Sequence, residues 1–449
     1  MRNILQTISN MLWGWHVLIP ILIVGIWLSL KSKFFQIRKS KFWMKTALFG
    51  SKSEKGKISS FQALTAALGG SIGTGNIVGV AVAVGTGGPG AILWMCISAL
   101  FGMMTLFAEN MLAAKYPQKK GPLGYIERVK KIGKPLAALY AVGCFLSSLA
   151  MGNMVQVNAA ASAFSEFGIS PEMSGFILAA VLFFVAVGGM QFAVKITEKL
   201  VPLMTVIFFS AAVVVLWVFR ANIPSAITSI FEGAFSLRAG LGGAAGMILA
   251  AKTGISRGVF TNEAGLGSAS FAYDEVESLT PVQKGCLGIF QVFADTVVMC
   301  TITGLCILSA QAPLNLEGAA ISFFPFEAAM GEWGAKLISF CTALFAVATT
   351  ITWCCYGREG LFYLTKGKGK TTFAVVYAFC AFLGCVVPLD FAFQLGDSFN
   401  GLMAIPNIIA LFCFGSEVMT VIRDKDRKVR LREKTKKASK LIKSKSRQK

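Results

Sequence analysis

Gly69-Gly70-Ser71-Ile72-Gly73-Thr74-Gly75-Asn76 interrupts an apolar run that otherwise extends over residues 60–85. Gly258-Val259-Phe260-Thr261-Asn262-Glu263-Ala264-Gly265-Leu266-Gly267-Ser268 does the same to the run 242–273. The two interruptions occupy matching places in the two halves of the chain. Glycine lets a backbone leave the helix without a Cβ clash. In hydrocarbon, however, every unpaired N–H or C=O is costly, so such breaks survive only inside protein or beside a wet cavity.

The rest of the chain fits that solvent. Of its 449 residues 55% are hydrophobic and 14% charged, with a mean hydropathy of +0.65; a soluble chain carries about 25% charged residues. An all-α polytopic membrane protein is expected, without a separate soluble domain, since the longest hydrophilic stretches are 31–60 and the tail after Arg423. The net charge of +21 does not signal nucleic acid. Of 43 Lys and Arg, 37 fall in alternate loops and the tail, against 4 on the opposite side (Arg2, Arg220, Arg238 and Lys336). That is the asymmetry of a membrane protein with its basic loops inside. The tail reads as disordered or lying on anionic lipid. Eleven cysteines are scattered through apolar segments, and His16 is the only histidine. Reduced thiols packed as small apolar groups are expected. No His, Cys or acid cluster has enzymatic spacing.

Eleven spans can be placed, near 11–30, 60–85, 90–113, 135–165, 173–189, 198–219, 242–273, 282–310, 336–363, 371–388 and 391–414. The first reads as a retained helix rather than a signal peptide. With this count the basic loops alternate correctly, which puts the N-terminus outside and the C-terminus in the cytoplasm of a multi-pass plasma (inner) membrane protein. Residues 1–59 then form an N-terminal transmembrane helix and basic linker, 60–220 and 221–415 two five-helix repeats, and 416–449 a basic tail. Five helices per repeat force opposite orientations, so the repeat is inverted. The first and sixth core helices are discontinuous, a layout that points to the binding site of a secondary transporter.

Unwinding frees carbonyls at the end of one half-helix, which attract a cation, and N–H groups at the start of the next, which attract an anion. An amino-acid zwitterion and a sodium ion offer both charges. The competing reading of Gly69, Gly73 and Gly75 is a helix-packing seam; Thr74 and Asn76 favour a site. Glu263 in the second break is a functional residue by default, unless it pairs with Lys252 or Arg257 or lies at the inner rim. Gln156 and Asn158 in the fourth span, Asp295 in the eighth, and Thr349 and Thr350 in the ninth are further polar groups at depth. The two threonines are either oxygen ligands or hydroxyls bonded back to their own helix. Glu109 reads as an anchor or a gate salt bridge.

These residues resemble the alanine or glycine:cation symporters of the leucine-transporter-fold superfamily. The resemblance covers about residues 12–420. It is carried by Gly73-Thr74-Gly75-Asn76-Ile77-Val78-Gly79-Val80, Gly87-Gly88-Pro89-Gly90-Ala91, Phe107-Ala108-Glu109, Arg257-Gly258-Val259-Phe260-Thr261-Asn262-Glu263-Ala264-Gly265-Leu266-Gly267-Ser268-Ala269, Asp295-Thr296 and Trp353-Cys354-Cys355-Tyr356-Gly357. It implies sodium-coupled, in some members proton-coupled, uptake of small neutral amino acids such as alanine, glycine and serine. It places the substrate carboxylate on the N–H groups of Thr74 and Gly75, with Gln156, Phe260, Thr261, Gly265 and Trp353 around the substrate. Asn76 is similar to a ligand of one sodium ion. A second sodium site is implied at the carbonyls of Gly69 and Ile72 with Ala346, Thr349 and Thr350, and Asp295 adds a carboxylate. Ala348, Thr352, Cys355 and Thr261 depart from the usual family residues and bear on the side-chain pocket. The expected partners are a small neutral amino acid, the sodium ion and membrane lipid. The rival readings are another small solute on the same scaffold and a substrate-gated channel or receptor.

Overall fold

The computed structural model describes residues 7, 9–50, 58–235, 243–314, 316 and 319–445, with side chains as far as Arg423. Arg2, Arg238 and the lysines of 51–57, which entered the charge argument, lie outside the described residues. The main helices are α1 (Trp15–Lys31), α2 (Ser60–Ser71), α3 (Val78–Gly87), α4 (Ala91–Lys115), α5 (Gly133–Ser165), α6 (Pro171–Gly188), α7 (Met190–Val218), α8 (Ile223–Phe235), α9 (Gly243–Asn262), α10 (Ser270–Asp274), α11 (Pro281–Ser309), α12 (Ala320–Met330), α13 (Glu332–Thr365), α14 (Lys370–Val386) and α15 (Leu389–Lys445). Eight helices among the described residues are long and apolar enough to cross a membrane.

Local sequence starts several of these helices. Ser59 and Gln62 form a reciprocal capping box at the head of α2, and Thr280 and Gln283 do so at α11, where Pro281 fills the first position. Each box satisfies two N–H groups that the first turn leaves orphaned. Large apolar side chains point outward on the bundle, among them Phe176, Phe184, Val206, Trp217 and Phe379. Water would disfavour that surface and hydrocarbon accepts it. Inside, α4 packs on α11, α5 on α13, α6 on α14, α7 on α13, and α15 on α5.

Three expectations are corrected. The sixth span starts at Met190, not near 198; Lys195, Glu198 and Lys199 sit within the helix, where Glu198 accepts from Gln62 Nε2 at 2.8 Å. The segments between spans contain α8 and α12, which were expected as loops. The tail, expected as disordered or lying on anionic lipid, continues α15 to Lys445; it is rich in Lys and Arg, both good helix formers.

Candidate functional site

Both breaks are present. The first lies between α2 and α3. Helix α2 ends at Ser71, Ile72 turns the chain (φ −75°, ψ 85°), and Thr74–Asn76 form a single 3-10 turn. Gly73 permits this by close approach. A Cβ there would lie 2.4 Å from Thr349 Oγ1 and 2.9 Å from Gln156 Oε1. A Cβ at Gly75 would lie 2.7 Å from Thr261 Cγ2.

One face of α13 reads the freed end of α2. Thr349 Oγ1 donates to Gly69 O at 2.9 Å and to Ile72 O at 3.5 Å. Thr352 Oγ1 donates to Ala66 O at 3.1 Å, and Trp353 Nε1 to Gly70 O at 3.3 Å. Positions 349, 352, 353 and 356 follow helical period, so they share a stripe. Thr350 is one step round the helix. Its hydroxyl donates back to Ala346 O at 2.5 Å, and its own carbonyl accepts from Tyr377. The structure therefore brings Gly69, Ile72 and Thr349 together, whereas Thr350 and the Ala346 carbonyl are engaged with each other. Thr352 belongs to the contact face and was not singled out as a partner of α2; counting on from Thr349 at helical spacing would have found it.

The other side of the break faces α5 and α11. Gln156 Oε1 accepts from Thr74 N at 3.1 Å and Thr74 Oγ1 at 2.8 Å. Its Nε2 donates to Met151 O at 3.1 Å, a carbonyl within the π-helical segment Ala150–Met154. Gly152, in the same segment, admits Trp353, whose Cβ would be 2.3 Å from a Cβ at that position. Asn76 Oδ1 accepts from Gly73 N at 3.0 Å, and its Nδ2 donates to Asp295 Oδ1 at 2.8 Å. Asp295 lies in a second π-helical segment, Phe293–Cys300. Its Oδ2 accepts from Thr296 Oγ1 at 2.6 Å, and Thr296 Oγ1 meets Thr261 Oγ1 at 3.3 Å and Asn262 Nδ2 at 3.2 Å. A continuous polar chain thus joins the two breaks through Asn76, Asp295 and Thr296. Thr296 and Asn262 were legible only as neighbours of Asp295 and Thr261. π-helical turns concentrate at functional positions because they re-aim side chains and release carbonyls.

The second break is built on backbone conformation. Glu263, Gly265 and Gly267 have φ of +61°, +97° and +75°. Glu263 is fully buried. It accepts from Ser268 Oγ at 2.5 Å and Trp353 Nε1 at 3.0 Å, so neither Lys252 nor Arg257 is its partner. Arg257 pairs with Asp397 at 2.7 Å and lies over the rings of Phe260 and Phe393. Both residues of that pair line a cavity of about 470 Å³, with Trp13, Thr86, Lys252 and Asp390 among others. Phe260 is buried, its ring 3.7 Å from the Cβ position of Gly75. Glu109 is not a salt bridge among the described residues. Its Oε1 accepts from Gly265 N at 2.9 Å and Asn407 Nδ2 at 2.6 Å. Gly265 is therefore held by Glu109 of α4 and Asn407 of α15. Thr74, Gly75, Gln156, Phe260 and Thr261 come together; Trp353 lies on the α2 side of the break.

At the end of α10 the chain reaches a charged cluster. Asp274 Oδ2 accepts from Gly121 N at 2.6 Å, and Lys120 pairs with Glu275 at 2.6 Å. Burial pushes the Asp274 carboxyl up to about 6, against the pull of Lys284, the Gly121 N–H and Lys120. No group of three His, Cys, Asp or Glu is placed to hold a metal among the described residues. The oxygens on offer at the first break are carbonyls and hydroxyls, donors suited to a hard monovalent cation.

The profile of the sodium:alanine symporter family matches residues 1–440. The sodium/alanine symporter AgcS of Methanococcus maripaludis is 36% identical over 436 residues, 93% of this chain and 96% of its own. The probable sodium/glutamine symporter GlnT of Bacillus subtilis is 33% identical, covering 94% and 90%. The putative sodium/proton-dependent alanine carrier protein YrbD of Bacillus subtilis is 30% identical, covering 95% and 93%. Among solved structures, MhsT in complex with L-phenylalanine superposes with a TM-score of 0.58 at 14% identity, over 82% of this chain and 98% of that one. This likeness shows a leucine-transporter fold. With the breaks and the outward apolar surface, these matches make the chain a multi-pass membrane transporter, not an enzyme, and a member of the sodium:alanine symporter family.

Proposed function

We propose that this protein imports small neutral amino acids, alanine and glycine first and serine as the largest, by sodium-coupled alternating access. The observation that carries the reading is the first break. There the carbonyls of Gly69 and Ile72 converge on Thr349, while the N–H of Thr74 donates to Gln156. A cation and a carboxylate fit those two ends side by side. Sodium occupies the Gly69, Ile72 and Thr349 oxygens, and the Asn76 and Asp295 pair supplies a second cation position. The substrate carboxylate lies on Thr74 and Gly75, with Phe260, Thr261 and Gln156 around the small side chain.

In this reading the eight long helices, the two broken ones and the 17-residue α14 make up the eleven crossings. In this reading α1 stands outside two inverted five-helix repeats, 60–220 and 221–415. The pairing of α4 with α11, α5 with α13 and α6 with α14 supports the repeat, since each pair joins helices of the same rank. The basic loops put the N-terminus outside and the C-terminus in the cytoplasm. Coupling requires that sodium bind the substrate-loaded form more tightly than the substrate-free form, and the reverse.

Uptake of labelled alanine into proteoliposomes with sodium outside tests this. Uphill accumulation that vanishes without the sodium gradient, and competition by glycine and serine but weakly by glutamine, is expected. Flux without accumulation would indicate a channel, and failure of all small amino acids to compete would remove the substrate assignment. Replacing the sodium gradient by a pH gradient tests the proton as driving ion.

A further inference from the structure

We infer that Gln156 is a built-in competitor of the substrate's carboxylate, so that substrate enters by displacing an amide oxygen rather than by filling unused donors. The inference rests on the symport reading above. It concerns how the same site discriminates.

The Gln156 Oε1 takes both donors of Thr74, the N–H at 3.1 Å and the hydroxyl at 2.8 Å. A substrate carboxylate bound to that N–H and the oxygen of Gln156 cannot share one place. The side chain is 2% exposed, so its amide leaves one hydrogen bond only by finding another. Its other tether is one bond to Met151 O, in the π-helical segment where the helical register shifts. Gln156 is therefore held well enough to satisfy Thr74 and loosely enough to turn.

The cation side is arranged in the same way. Thr349 satisfies the carbonyls of Gly69 and Ile72 by donating to them. A cation at those carbonyls requires Thr349 to turn its hydroxyl hydrogen away and present oxygen. Both side chains crowd the same point, since a Cβ on Gly73 would meet Thr349 Oγ1 at 2.4 Å and Gln156 Oε1 at 2.9 Å. The two rearrangements therefore take place side by side. A carboxylate binds N–H groups about twice as strongly as a neutral carbonyl does. An α-amino acid therefore displaces Gln156, whereas a neutral amide or alcohol of equal size does not.

Binding of labelled alanine to the purified full-length protein, at saturating sodium, tests this against the opposite view that Gln156 simply holds the substrate. Gln156→Met keeps length and removes the competing oxygen. It is expected to bind alanine about fivefold more tightly, one neutral hydrogen bond's worth, and to release it more slowly. Gln156→Glu puts a full negative charge on Thr74. It is expected to lose at least about a hundredfold in alanine affinity, while sodium still raises its thermal midpoint. Weaker alanine binding by Gln156→Met overturns the inference. If Gln156→Met does not fold, wild-type-like binding by Gln156→Glu overturns it. A wild-type protein that binds sodium but no alanine overturns the symport reading itself; one that binds alanine while Gln156→Met binds it less well overturns only the competitor.

Discussion

The two breaks look alike in sequence and are built on different physics. In the first, between Ser71 and Ile77, no residue needs a left-handed backbone: Ile72 and Gly73 keep negative φ. Its glycines are there because neighbours come close, with Thr349 and Gln156 against Gly73 and Thr261 against Gly75. In the second, from Glu263 to Gly267, three residues have positive φ. The turn is pinned by the buried carboxylates of Glu109 and Glu263. The first break is shaped around what other side chains present to it, as a binding site must be. The second is a rigid backbone device that sets where α9 ends and α10 begins.

Substitution should separate the two. The largest effect is expected at the first break. Gly75→Leu should reduce sodium-dependent uptake to background with the protein still inserted, and Gly73→Ala should lower it by at least about a hundredfold, because its Cβ cannot avoid Thr349. Wild-type-like uptake by either variant would break the contrast. Gly265→Ala comes next. Strain at φ +97° with Ile21 3.1 Å from the added carbon should cost about 1–3 kcal/mol, read as a lower thermal midpoint. Its half-saturating sodium should not change; a raised sodium requirement would make the second break part of the ion site after all.

A smaller effect sharpens the reading of α13. Thr349→Ala should raise the half-saturating sodium concentration by about fivefold to tenfold, the loss of one ligand or hydrogen bond. Thr350→Ala should move it by less than about twofold, since that hydroxyl serves Ala346. Equal shifts would place the ion elsewhere. The smallest effect lies beyond the second break. Burial raises the Asp274 carboxyl from 3.8 to about 6, so the folded protein holds that proton more tightly than the unfolded chain. Its contribution is then fully present below 3.8 and is lost as pH rises through about 6. Asp274→Asn should therefore melt higher than wild type at neutral pH, with the gain disappearing on acidification; a pH-independent difference would remove the titration argument.

Much of this was legible in the chain. A run of apolar residues too long for anything but a spanning helix, broken by Gly-x-Gly-Asn or Asn-Glu-Ala-Gly-Leu-Gly, has few physical solutions in hydrocarbon, where local hydrogen bonding is obligatory. Class, breaks and the polar residues at depth follow from that alone. The sequence could not say which polar group meets which. Thr349 and Thr350 are chemically equivalent, and only the rotation of α13 against α2 turns one to Gly69 and the other to its own helix. Glu109 reads as an anchor or a gate salt bridge, and Glu263 as functional unless paired with Lys252 or Arg257 or lying at the inner rim; the packing gave them amides, a hydroxyl and an indole. Gln156 was legible as a residue facing the substrate; that its oxygen already holds Thr74 depends on the register shift at Met151 and on how α5 docks. Chain-local energetics settled where helices run and break, because each backbone group must be satisfied nearby. Tertiary structure settled the partners, because a side chain's hydrogen bonds depend on helix rotations of a few tens of degrees that no single segment encodes.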